Sequence, residues 1–222
     1  VSVVVGPPET QRNRMTDNRN QPTDATEYQN LAFHPYNVLL FLVLFSLGML
    51  FLALTAAFIY SRVENKQPPI SLPPIFILNT LILLASSATM VWAQRSFKAD
   101  NTRNYKRALV LTIILSVVFM IAQFFAWGQL FQKSIFIDSD VSASYLYVIS
   151  GLHFLHVIAG LPFLGLFLWK ANRQMKEPVS VLVYFSDPEK RLKLRLLTIY
   201  WHFLDGLWIY LVLFFLVNDL IR

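Results

Sequence analysis

Long apolar runs separated by short polar segments set the pattern of this chain. Residues 37–60, 73–94, 108–131, 145–169 and 197–217 are almost uninterrupted hydrophobic sequence. Each run can cross a hydrocarbon core of about 30 Å as a helix, which takes about 20 residues. Short segments of alternating polarity, the signature of transmembrane strands, are absent. The pattern predicts an all-α, five-helix transmembrane bundle. Pro73-Pro74 suits a helix start, where a missing amide hydrogen costs nothing. Pro162 falls inside the fourth run and is expected to bend it, because it removes a backbone hydrogen bond. Residues 170–196, with Ser186-Asp187-Pro188-Glu189, have room for a turn or a short surface helix.

Charge adds an orientation. Lys and Arg number three before the first run, five in 95–107 and seven in 170–196; the alternate connections and the C-terminal end carry two, one and one. That asymmetry, 15 against 4, predicts a cytoplasmic N-terminus and an outside C-terminus. The net charge of +6 therefore reflects topology, and no nucleic-acid partner is expected, since a contiguous basic surface on a water-facing fold is missing. Residues 1–36, rich in Asn, Arg, Gln, Thr and Pro, read as a disordered cytoplasmic tail ahead of a membrane domain over 37–222. Met15 is a second candidate start. With no cysteine in the sequence, disulfides and thiolate-held metals are excluded.

The candidate chemistry lies in the few polar groups inside the runs, because ionisable side chains at that depth are costly and rarely face lipid. Gly151-Leu152-His153-Phe154-Leu155-His156 lies on the fourth run and Tyr200-Trp201-His202-Phe203-Leu204-Asp205 on the fifth. Asp205 is the only acidic residue in any run. His153, His156 and Gly160 fall on one helical face, and Gly160 would admit a close helix or a flat ligand. His202 and Asp205, three apart between Trp201 and Trp208, form a candidate hydrogen-bonded couple. Asn79 and Ser86 share a face on the second run, as do Ser116 and Gln123 on the third, and all four read as interhelical hydrogen-bond points. Four readings stay open on these residues. They could ligate haem through His153, His156 or His202, or hold a metal with Asp205 added. They could relay protons or ions. Hydrogen bonding between helices and to a partner is the reading the residue chemistry favours.

Taken with their order and spacing, these motifs carry a resemblance. Leu78-Asn79-Thr80 with Leu84-Ala85-Ser86-Ser87, the neighbourhood of Gln123, Gly151 through Gly160, and Tyr200 through Trp208 are similar to subunit III of the haem–copper cytochrome c oxidases, in its short bacterial five-helix form. The likeness runs over about 37–218. It implies a multi-pass subunit of the bacterial cytoplasmic (inner) membrane that binds no haem, copper or other metal itself; haem and copper reside in partner subunits. It also implies direct contact with subunit I, association with subunit II and a wider respiratory supercomplex, and structural phospholipid in a cleft between the first two helices and the rest. Asn79, Ser86, Gln123, His153, His156, Gly160, Trp201, His202, Asp205 and Trp208 become fold- and interface-defining residues, with no catalytic role. A subunit III-like component of a quinol oxidase or nitric oxide reductase, or a free-standing transporter, are the alternatives. Where the family often carries Glu, this chain has Leu47, Ala126 and Arg195, which puts carboxylate-mediated proton handling in doubt.

Overall fold

The computed structural model describes residues 35–65, 73–137, 140–175 and 177–220. Six helices are present among them: α1 (Pro35–Glu64), α2 (Ile75–Lys98), α3 (Thr102–Gln132), α4 (Val141–Gln174), α5 (Pro178–Ser186) and α6 (Pro188–Leu220). No described residue is in a strand. α1, α2, α3, α4 and α6 are long and apolar enough to cross a membrane. The chain divides into two compact units, residues 1–42 and 43–222; of the first, only Pro35–Leu42, the opening turns of α1, is described. The expected tail over residues 1–36 lies outside the described residues up to residue 34, and Pro35 and Tyr36 are already helical.

The helices outrun the apolar segments. α6 begins at Pro188, nine residues before the fifth run, and α4 continues to Gln174, five beyond the fourth. Hydropathy measures only the stretch that suits hydrocarbon, whereas a helix continues until something ends it. Here the ends are specific polar devices. α2 closes with the Asn101 amide bonded to the Ser96 carbonyl at 3.0 Å, and Asp100 takes the left-handed conformation (φ 52°) that such a cap needs. Asn101 then caps α3, its side chain accepting from the Asn104 amide at 3.0 Å. The same residues that stop one helix thus start the next, and α2 and α3 become a tight antiparallel hairpin. Asp140 caps α4 through the Ala143 amide at 2.6 Å, and Asp187 caps α6 through the amides of Glu189 and Lys190 at 3.0 and 3.4 Å. α4 continues as one helix through Pro162. Of the 170–196 segment, Pro178–Ser186 is the short helix for which there was room.

In the second unit the buried apolar side chains fall into two clusters, one toward each end of the bundle. Toward the basic connections, Met90, Phe97, Tyr105, Leu109, Leu164, Tyr184, Phe185 and Leu194 pack together from α2 to α6. Toward the other end, Phe51, Phe58, Phe76, Leu83, Phe119, Leu146 and Trp208 form the second cluster. α4 meets α6 at Gly160, where a Cβ would stand 2.9 Å from the Trp201 ring and 3.1 Å from that of Tyr200. The close approach that Gly160 was expected to permit is therefore taken by α6 itself, not by a flat ligand.

Gly160→Ala is expected to lower stability by about 1–3 kcal/mol, because the added methyl overpacks against the buried Trp201. Unfolding of the full chain in detergent, titrated with denaturant, reads this; an unchanged midpoint would mean that the contact yields freely. At the cap, partial burial pushes the Asp187 carboxyl up, but the Glu189 and Lys190 amides and the Lys190 ammonium hold it below the usual carboxylate range. A carboxylate held low stabilises the fold above its unfolded value of 3.8, and that contribution fades as the pH falls through its lower folded value. Asp187→Ala is expected to cost about 1 kcal/mol at pH 7. Melting curves of variant and wild type should converge as the pH is taken below 3.8; a gap that persists there would show that the loss is not one of charge.

Candidate functional site: the polar belt at mid-span

Between the two apolar clusters, each long helix of the pair α2–α3 and of α6 presents hydroxyl, indole or imidazole groups. Thr89 Oγ1 and Thr112 Oγ1 share a hydrogen bond of 2.8 Å across the hairpin. The Trp201 indole donates to Ser86 Oγ at 3.1 Å, tying α6 to α2. Deeper in the second cluster, Asn79 Nδ2 donates to Gln123 Oε1 at 2.8 Å, both side chains being fully buried. Asn79–Gln123, Thr89–Thr112 and the Phe97–Tyr105 ring contact are each nearly symmetric about the Asp100–Asn101 turn, so the turn sets the register of all three. Trp208 donates to Thr80 Oγ1 at 3.2 Å while its ring stacks on Phe76, with centroids 5.8 Å apart.

The histidines do not converge. His153 is fully buried, with its ring 4.9 Å from that of Trp208 and 6.0 Å from that of Phe119, centroid to centroid. Neither of its ring nitrogens has a hydrogen-bond partner among the described residues. His156 turns toward Phe51 of α1 and donates from Nδ1 to the carbonyl of Leu152, one turn back on its own helix, at 2.7 Å. His202 Nδ1 lies 2.7 Å from Ser87 Oγ on α2 and 4.0 Å from Asp205 Oδ2. The couple expected between His202 and Asp205 is thus an ion-pair distance at its limit, and the imidazole's hydrogen bond goes to Ser87. One oxygen of the Asp205 carboxyl, Oδ2, is buried and takes none. Among the described residues, no group of three or more His, Cys, Asp or Glu is placed to hold a metal ion. The shared face expected for His153, His156 and Gly160 is divided among the aromatic core, α1 and α6, which leaves no common ligand-facing surface.

Asn79, Ser86 and Gln123 each bond across helices as expected, Asn79 and Ser86 to different neighbours, α3 and α6. Ser116 was expected to bridge helices; its hydroxyl instead donates to the Thr112 carbonyl of its own helix at 2.7 Å, which satisfies it without a partner. The structure also adds bonds that sequence reasoning passed over: Trp127 to Ser150 (3.1 Å), Thr55 to Tyr210 (2.8 Å) and Arg62 to Asn218 (3.0 Å). Their signal in the sequence was only a small hydroxyl or a terminal polar residue, which helical spacing alone does not pair. Leu47 and Ala126, where the resembled family often carries Glu, are both buried against apolar neighbours.

Comparison with known proteins adds a family to this geometry. The family model described as cytochrome c oxidase subunit III matches residues 26–218. Cytochrome c oxidase subunit 3 of Loxodonta africana is 32% identical over 151 residues, which cover 66% of this chain and 53% of that protein. The corresponding protein of Pelomedusa subrufa is 32% identical over 158 residues, 69% of this chain and 56% of its own length. That of Pisaster ochraceus is 31% identical over 187 residues, 79% and 66%. The chain thus spans about half to two thirds of the length of these relatives.

Asn79→Leu is expected to destabilise the bundle by about 0.6–2 kcal/mol by leaving Gln123 buried without its donor, and Asn79→Leu with Gln123→Leu to recover part of that loss. Equal losses in single and double variants, read by denaturant titration in detergent, would show that the two amides are not coupled.

Proposed function

The chain belongs to the cytochrome c oxidase subunit III family, and from that premise we propose that it is a non-catalytic subunit of a haem–copper terminal oxidase. It packs on subunit I, binds structural phospholipid and leaves haem and copper to its partner subunits. The assembly would couple O2 reduction by cytochrome c to proton movement in a bacterial cytoplasmic membrane, with the basic connections 95–107 and 170–196 on the cytoplasmic side. Subunit II and a wider respiratory assembly are the further partners of this reading.

One observation carries the docking role. Ser87 and His202, backed by the buried Asp205, form a polar patch on the outer α2–α6 surface, deep within two spanning helices. The His202 side chain is 36% exposed, while that of Asp205 is only 6% exposed. A half-exposed imidazole at that depth is costly against lipid chains and inexpensive against another protein. Gly206, next to the patch, has open space where a side chain would be, so a neighbouring helix can approach there. A quinol oxidase or nitric oxide reductase assembly would use the same surface, since the electron donor is chosen in other subunits.

Purification from native membranes in mild detergent tests this. A haem-bearing partner is expected to accompany the chain, and Asp205→Ala or His202→Leu to weaken that retention several-fold. Haem absorbance per partner should stay unchanged, as it should with His153→Leu. A chain that purifies alone with transport activity, or a haem band lost with His153, overturns the reading.

A further inference from the structure

A groove of about 410 Å³ opens on the outer surface where α2, α3 and α4 meet. It shares no residue with the α2–α6 patch, and its lining comes from α2, α3 and α4. Its walls are graded. Lys106 and Arg107 of α3 and Asn172 of α4 stand at one end, and Val110, Leu111, Ile114 and Leu168 line the remainder, with the Trp92 ring of α2 beside them. From Arg107 to Ile114 the lining descends seven residues of helix, about 10 Å. No acidic side chain lines it.

We propose that this groove holds one anionic phospholipid of the surrounding bilayer, its phosphate on Lys106, Arg107 and Asn172 and an acyl chain along Val110, Leu111, Ile114 and Leu168. Charge complementarity selects the headgroup. Lys106 is steadied at the mouth by a 3.4 Å contact from Nζ to the Met175 carbonyl, and Arg107 is exposed with no ion pair among the described residues. Juxtamembrane cations attract anionic lipid headgroups. The apolar descent selects an amphiphile over a free anion, since a phosphate alone would leave four exposed or half-exposed aliphatic side chains uncovered. Trp92 lies where α2 passes the upper part of α3, which suits an indole bordering a headgroup. The proposal rests on the lipid-binding part of the function above and gives it a place and a headgroup charge.

The test is native mass spectrometry of the full chain, with the partner subunits it retains, released from bilayer discs of phosphatidylglycerol and phosphatidylcholine in equal amounts. Wild type is expected to keep phosphatidylglycerol in preference. Lys106→Gln with Arg107→Gln should lower that preference about fivefold or more, and Arg191→Gln, which removes a charge outside the groove, should not. Ile114→Trp, which fills the groove and keeps the charges, should lose the bound lipid. Equal retention of both lipids by wild type, a preference that survives loss of both cations, or an equal fall with Arg191→Gln overturns the proposal. Displacement by millimolar inorganic phosphate overturns it in favour of a free-anion site. Partner retention, read in the same spectra, reports separately on the subunit role.

Discussion

Inside hydrocarbon a polar group can be satisfied only by protein, and the arrangement of these helices follows from that constraint. Backbone groups are satisfied within each helix. Side chains are satisfied by a neighbour, as with Asn79 and Gln123, Ser86 and Trp201, or Thr89 and Thr112. Others turn back on their own helix, as Ser116 and His156 do. An interhelical hydrogen bond in a membrane is worth only about 0.6 kcal/mol on average. These bonds therefore contribute less by strength than by position. They oppose every sliding of one helix on another that would leave a buried amide or hydroxyl alone, while the close packing of the two apolar clusters carries the cohesion.

The α2–α3 hairpin is the element whose geometry is decided most locally. Asp100 and Asn101 end one helix and begin the next within two residues, so little freedom remains in how the two helices face each other. The ring contact of Phe97 with Tyr105, the threonine pair and the amide pair then follow in order away from the turn. α6 is placed on this hairpin by two indoles, Trp201 to Ser86 and Trp208 to Thr80. α4 reaches α6 because Gly160 offers no side chain against Trp201. One face of the bundle is thereby closed, and Ser87 and His202, over the buried Asp205, are left on the outside of the same helix pair.

Such a division suits the subunit role proposed above. Closed polar contacts hold the bundle, and the Ser87–His202 patch on the α2–α6 surface is the place at which that proposal has a partner dock. Leu47 and Ala126 are buried among apolar side chains where the family often has acids, so the bundle packs without those carboxylates. The docking and lipid binding proposed above call for no carboxylate at Leu47 or Ala126.

The sequence by itself determined the number of spanning helices, their apolar centres and the family, because hydrocarbon imposes a length and a polarity that composition records directly. It also marked His153, His202 and Asp205 as unusual, since charge or strong polarity at that depth is rare. Partners were another matter. Only the tertiary structure decided that Ser87 and not Asp205 takes the His202 hydrogen bond, that Ser116 needs no second helix, and that Gly160 receives Trp201. The helical period tells which residues share a face, but the rotation and tilt of each helix decide which neighbour that face meets. Those are settled by caps and close contacts well separated along the chain.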